Sequence, residues 1–149
     1  MLMRIGRPRP PLDRFVEYYW YIDGYRPAHT LETTLPDGTA DIVVRLDDAP
    51  IRMIDSDRRE VEFGRAVICG PHAASYVIDT SGESKVAGIH FRPGGLRPFV
   101  GEPSESYLNR LLPLAAAWGP LAAEWVERLA ACGSPEATIA MLEAALLSA

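Results

Sequence analysis

Phe15-Val16-Glu17-Tyr18-Tyr19-Trp20-Tyr21-Ile22 alternates at the two-residue period of an extended strand, with Val16, Tyr18, Trp20 and Ile22 on one side and Glu17, Tyr19 and Tyr21 on the other. It reads as a strand with an aromatic inner face. A second strand follows over residues 39–46, where Ala40, Ile42, Val44 and Leu46 share one face and Asp41, Val43 and Arg45 the other. Leu35-Pro36-Asp37-Gly38 supplies the turn before it, because proline presets φ, Asp bonds its own backbone and Gly tolerates positive φ. Residues 60–63, 66–69, 75–79 and 85–92 read as further strands, with Thr80-Ser81-Gly82-Glu83 as a hairpin turn between the last two. The polar stretch 47–59 reads as a loop or an irregular hairpin. Thirteen prolines and twelve glycines, most of them before Gly119, punctuate these short runs in the manner of a β-barrel or sandwich.

After Pro93-Gly94-Gly95 the pattern changes to helix. Residues 96–100 and 104–111 predict short helical turns, the second capped by Ser104. Gly119-Pro120 opens a longer helix that Gly133 closes, with Leu121, Trp125, Leu129 and Cys132 as its buried stripe. Ser134-Pro135-Glu136 starts another, carrying Ile139, Leu142 and Leu146 on one face. The expected class is α+β, mainly β: a barrel or sandwich over residues 1–112, then an αα-hairpin over 113–149, packed on it or hung from it.

The 149 residues carry 15 basic and 20 acidic side chains, a formal charge of −5, with 48% apolar and 23% charged residues. That length fits one domain, with or without a small helical appendage, and the composition excludes extended disorder. An isoelectric point near 5.2 argues against a nucleic-acid-binding module, since the phosphate backbone rewards concentrated positive charge. The local exception is the start, where Arg4, Arg7, Arg9 and Arg14 face only Asp13 and are interleaved with Pro8, Pro10 and Pro11. This extended arm reads as a solvated tail, or as a contact for nucleic acid or a partner domain. Cys69 and Cys132 read as buried free thiols. No apolar stretch approaches the roughly 20 residues of a membrane span and no signal-peptide core follows Met1-Leu2-Met3-Arg4, which places the chain in the cytoplasm.

His29, His72 and His90 lack the His-x-His spacing that aims alternate side chains of a strand at one ion, so no metal site is expected. In the strand over 85–92, Ala87, Ile89 and Phe91 share a core face, while Val86, Gly88, His90 and Arg92 share a face able to line a pocket. His90 would bring a titratable ring and Arg92 a fork donor suited to carboxylate or phosphate. Tyr18 and Trp20 can supply a stacking wall, and His72 follows Gly70-Pro71 on a loop able to turn inward. Tyr18, Trp20, His72, His90 and Arg92 are therefore the candidate ligand-binding residues. Asp37 and Asp41 read as turn formers, with an outward pair to Arg45. No nucleophile elbow, phosphate-binding loop or dinucleotide fingerprint occurs, so neither a catalytic residue nor a cofactor is expected.

Several of these segments, in this order, resemble the N-terminal domain of a group of AraC-type bacterial transcriptional regulators. They are Pro11-Leu12 with Phe15 to Trp20, Leu35 to Gly38 with Asp41, Gly70-Pro71, and Gly88-Ile89-His90-Phe91-Arg92-Pro93-Gly94-Gly95. Pro98 to Gly101 and Trp118-Gly119 are similar to the same group, and the resemblance spans residues 8–147. It implies a cupin-like β-barrel that senses a small-molecule effector, followed by helices for dimerisation or connection, in a homodimer. DNA would be read only by a pair of helix-turn-helix units that follows in the intact regulators. The chain ends at Ala144–Ala149 without a glycine stop or a basic last turn, and the resemblance implies a longer parent protein there. The implied mechanism is allosteric, the barrel's ligand biasing the orientation of the helical connector. The competing class is a small metal-dependent cupin-type enzyme, an isomerase or oxygenase, with His72 and His90 on the metal.

Overall fold

The alternating runs form strands, and the strands gather into two antiparallel sheets. The computed structural model describes residues 1–25, 31–34, 37–55, 57–73, 75–79, 84–101 and 106–149. In chain order the strands are β1 (Leu2–Gly6), β2 (Val16–Tyr25), β3 (Leu31–Thr34), β4 (Asp41–Arg45), β5 (Arg52–Ile54), β6 (Glu60–Glu62), β7 (Ala66–Cys69), β8 (Tyr76–Asp79), β9 (Ser84–Phe91) and β10 (Leu111–Pro113). A six-stranded sheet runs β1-β2-β9-β4-β7-β10, and a four-stranded sheet runs β3-β8-β5-β6. The helices are α1 (Arg97–Val100), α2 (Ala115–Trp118), α3 (Leu121–Ala130) and α4 (Pro135–Ser148). The protein is thus mainly β with C-terminal helices. No helix among the described residues is long and apolar enough to cross a membrane.

His29, the turn expected at Thr80–Glu83, Ser104, and Leu35-Pro36 lie outside the described residues. The second half of the Leu35–Gly38 turn is present: Thr39 N–H donates to Asp37 Oδ1 at 3.0 Å. Residues 47–59 include one arm of an irregular hairpin, β5 paired with β6. Leu111–Pro113 is a strand on β7 where a helical turn was expected up to Leu111. Asn109 enters the left-handed region at φ 56° and its N–H donates to the Pro71 carbonyl, which turns the chain onto the sheet edge.

The aromatic strand differs from its simple alternation by one residue. In the β2–β9 register Val16 faces Phe91 and Tyr18 faces His90, so Glu17 is an extra residue in a β-bulge. A one-residue slip exchanges the faces. Val16, Tyr19 and Tyr21 are therefore buried together, whereas Tyr18, Trp20 and Ile22 are half-buried on the opposite face. Beyond the bulge, the expected inner aromatic face is a cleft wall and its partner is the core.

That core lies between the six-stranded sheet and the helices. Ala40, Ile42, Val44 and Leu46 are buried as expected, as are Ala87, Ile89 and Phe91 of β9. They form one cluster with Leu129 of α3 and Leu142 and Leu146 of α4, so the helical hairpin is packed on the sheet. Burying each side chain of this size contributes about 1.5–3 kcal/mol. In α3 the buried stripe is Ala122, Trp125, Val126 and Leu129. Leu121 is exposed and Cys132 half-buried, since both fall roughly a quarter turn from the centre of that stripe at 3.6 residues per turn. Ser134 caps α4, its Oγ accepting the Ala137 N–H at 3.1 Å.

The arginine-rich start is not a free tail throughout. Residues 2–6 pair with β2 from Leu2↔Asp23 to Gly6↔Tyr19 and form the sheet's edge strand. Arg4 lies 3.7 Å from Glu136, the Arg9 N–H donates to Glu143 at 3.2 Å, and a Cβ at Gly6 would collide with Ile139. The arm is therefore docked along α4, while the side chains of Arg7, Arg9 and Arg14 belong to exposed residues.

Candidate functional site

The inner face of the six-stranded sheet is built in rows, because register aligns residues across strands. Tyr18 of β2, His90 of β9, Asp41 of β4 and Cys69 of β7 stand in the first row. Trp20, Gly88, Val43 and Val67 make the second, and Ile22, Val86 and Arg45 the third. Thr34 of β3 and Tyr76 and Ile78 of β8 face these rows from the four-stranded sheet across a two-lobed cleft. The lobe over the first row encloses about 400 Å³ and the lobe over the third about 250 Å³. They share Trp20, Ile22, Val43, Cys69 and Tyr76, so they are continuous.

His90 organises the larger lobe. Its Nδ1 donates to Asp41 Oδ1 at 2.9 Å, and its ring stacks on Tyr18 at 4.8 Å between centroids with 24° between planes. Nε2 lies 3.4 Å from Thr39 Oγ1 and 3.5 Å from Glu17 Oε2. The hydrogen bond to Asp41 raises the imidazole pKa above its ordinary value, and the charges of Asp41, Asp37 and Glu17 outweigh burial. Burial also raises the Tyr18 hydroxyl, helped by Asp41, Glu17 and Asp37 and opposed by Arg7. For Asp37, burial works upward, but the Thr39 N–H and hydroxyl and the charge of His90 hold the carboxyl below the usual range.

His72 stands on the opposite wall. Its Nδ1 is 2.7 Å from the Gly70 carbonyl, which can only accept, so Nδ1 is the donor of this bond. Its ring lies against Tyr76 at 4.3 Å. The Tyr76 hydroxyl engages Cys69 and Thr34, and burial raises its pKa strongly. Burial, then the charge of Asp41, pushes the Cys69 thiol up to about 12, so it is a neutral wall group and not a nucleophile.

Tyr18, Trp20, His72 and His90 all line the larger lobe. Arg92 does not. β9 ends at Phe91, the Arg92 N–H bonds the Phe15 carbonyl, and its Nε donates to the Asp13 carbonyl at 2.9 Å on the exposed side. Alternation stops where the chain leaves the sheet, so the expected shared face stops at His90. The outward Asp41–Arg45 pair is also replaced: Arg45 binds Asp47 at 2.7 Å and Asp41 binds His90. Asp37, Thr39, Asp41, Cys69 and Tyr76 are lining residues beyond the candidate set. The signal for Tyr76 is its two-residue spacing from Ile78. For Asp41 it is the cross-strand register, which no local pattern carries.

Residues 5–113 match a protein family described as a domain of unknown function, DUF6597. The chain belongs to this family. No curated protein matches it. The DUF6597 region reaches from β1 through β10 and includes every cleft residue named above. Helices α2 to α4, which cover the sheet's other face, follow it in the chain.

Proposed function

We propose that this chain is the sensing part of an AraC-type bacterial transcriptional regulator, cupin-like in its β region, which binds a small-molecule effector and is not an enzyme. The observation that carries the reading is the division of labour within β2 and β9. Tyr18, Trp20 and His90 face the cleft, while their neighbours Tyr19, Tyr21, Ile89 and Phe91 lie in the core cluster with the helices. An occupant pressing on one face of these strands has a direct mechanical route to α3 and α4. To act as an effector it must bind two arrangements of strands and helices with different affinity, typically by about 1–3 kcal/mol. In this reading the protein is cytoplasmic and dimerises through its helical region. DNA is reached through helix-turn-helix units beyond these residues.

Hydrogen exchange on the purified chain, with and without an effector found by thermal-shift screening, tests the coupling. Protection of β2 and β9 accompanied by altered exchange in α3 and α4 is expected; protection confined to the cleft overturns the allosteric reading. Reading the source genome beyond the Ala149 codon tests the regulator class, for which an in-frame helix-turn-helix pair is expected and a stop codon counts against it. The rival is a metal-dependent enzyme, motivated by His72 and His90 lining the same lobe. Among the described residues no group of three His, Cys, Asp or Glu side chains converges as a metal site. Elemental analysis of protein purified without chelator or a metal-affinity tag decides between them: stoichiometric iron, manganese or zinc, lost in His90→Ala, would sink the sensor reading.

A further inference from the structure

We infer that the cleft is selective for an organic cation, a substituted ammonium group carried on an apolar aryl or alkyl body. The inference rests on the reading that the cleft takes a small molecule, and it adds which chemical class.

Charge comes first. Asp37 and Asp41 line the larger lobe, and among the described residues no lysine or arginine does. Glu17 adds a third carboxylate, 3.5 Å from His90. A protonated His90 offsets Asp41, but Asp37 and Glu17 keep the lobe negative beside it. The Tyr18 hydroxyl registers this field: beyond the effect of burial, Asp41, Glu17 and Asp37 oppose its ionisation and Arg7 favours it more weakly. An anionic ligand would enter against that potential, with no fork donor to receive it once Arg92 is turned away to Asp13.

The walls make the second argument. Tyr18, Trp20 and Tyr76 bring π-systems to the same lobe as the carboxylates. Aromatic faces beside carboxylates attract a poorly hydrated cation, and the attraction grows when water is excluded.

Shape makes the third. The smaller lobe continues past Trp20 between Ile51, Ile78, Val86 and Leu111. Its arginines are compensated, Arg45 by Asp47 and Arg52 by Glu60 and Glu62. A cationic head beside Asp37 and Asp41 thus leaves an apolar body pointing along the rows into a mostly apolar chamber, whose lining also includes Arg45, Arg52 and Asp79. The change along the rows follows from the register: the first row carries His90 and Asp41, and the third carries Ile22, Val86 and an Arg45 that is paired with Asp47.

Isothermal titration of the whole chain with aryl- and alkylammonium compounds, each matched to an alcohol and a carboxylate of the same skeleton, tests the assignment. Phenethylamine, 2-phenylethanol and phenylacetate form one such set. The ammonium member is expected to bind at least about tenfold more tightly than its partners, weakening with salt. Asp37→Asn, at an exposed rim position where the amide oxygen can keep the Thr39 N–H bond, is expected to lower ammonium affinity about tenfold and alcohol affinity much less. Asp41→Asn is expected to do the same and also to disturb His90. Alcohols or carboxylates binding as well as the ammonium compounds overturns the cation assignment and leaves the small-molecule cleft standing. Binding by no member of any set, from protein with a cooperative melt, overturns both.

Discussion

The indole of Trp20 lies across Gly88, its cross-strand partner, so closely that a Cβ there would collide with the ring and with the Ile42 carbonyl. Trp20 lines both lobes of the cleft, so this bare stretch of backbone sets where the lobes meet. Gly88→Ala is expected to displace the indole at a cost of about 1–3 kcal/mol, the usual range for overpacking. Urea melts of Gly88→Ala, Trp20→Ala and the double variant check this. The double variant should be more stable than the sum of the singles predicts, because removing the ring removes the clash with the indole and leaves only that with the Ile42 carbonyl.

Stability should depend on pH through His90. Its folded pKa is raised above the ordinary value, principally by the hydrogen bond to Asp41, so the folded state holds the proton more tightly. The resulting stabilisation is fully present below the unfolded pKa of about 6.5 and is lost as pH rises through the folded value. Urea midpoints from about pH 5.5 to about pH 8.5 should fall with rising pH in the native protein, and this component should vanish in His90→Gln. Asp37 and Asp47 have lowered pKa values and so affect stability in acid, outside this window.

Trp125 is 5% exposed and belongs to the buried stripe of α3 against the sheet. Trp125→Ala is expected to cost about 3–5 kcal/mol. Its Nε1–H has no hydrogen-bond partner among the described residues, so Trp125→Phe forfeits no hydrogen bond and should cost less. Thermal and urea unfolding of the two variants give the comparison. A Trp125→Ala protein with native stability that sediments as a monomer would instead place this side chain in a dimer interface.

The two cysteines should differ in reactivity. Cys69 is held as a thiol by burial and by Asp41, whereas the Cys132 thiol donates to the Arg128 carbonyl at the exposed end of α3. Brief alkylation of native protein at mildly alkaline pH, read by peptide mass spectrometry, should modify Cys132 first. Cys69, which is half-buried on the cleft wall and not fully buried as expected, should react much more slowly until the protein unfolds.

Ser134 supplies the side-chain cap of α4, and α4 packs on β1, β2 and β9. Ser134→Ala should therefore lower global stability by about 1 kcal/mol, while Ser134→Asn is tolerated. Chemical denaturation resolves a difference of this size.

Much of the architecture is legible because its causes are local. The alternation from Phe15 to Ile22, the apolar faces of β4 and β9, and the Ser-Pro-Glu start of α4 act over a few residues, where side-chain period and capping chemistry operate. The short strands β1, β3, β5 and β10 escape such a reading, since three to five residues carry little periodicity and earn their strand character from a partner.

The cleft is a different matter. That Val16 shares the core face with Tyr19 and Tyr21, and not the cleft face with Tyr18 and Trp20, follows from a bulge at Glu17, visible only as a register shift against β9. That His90 meets Asp41, 49 residues earlier, follows from the pairing of β4 with β9, and that Arg92 turns away follows from where β9 ends. Composition and periodicity settle a mainly-β chain with a helical hairpin, because those signals are carried by neighbours along the backbone. Which side chains meet in the cleft depends on inter-strand register and on the helices claiming the opposite face, energies that exist only once distant segments are packed together.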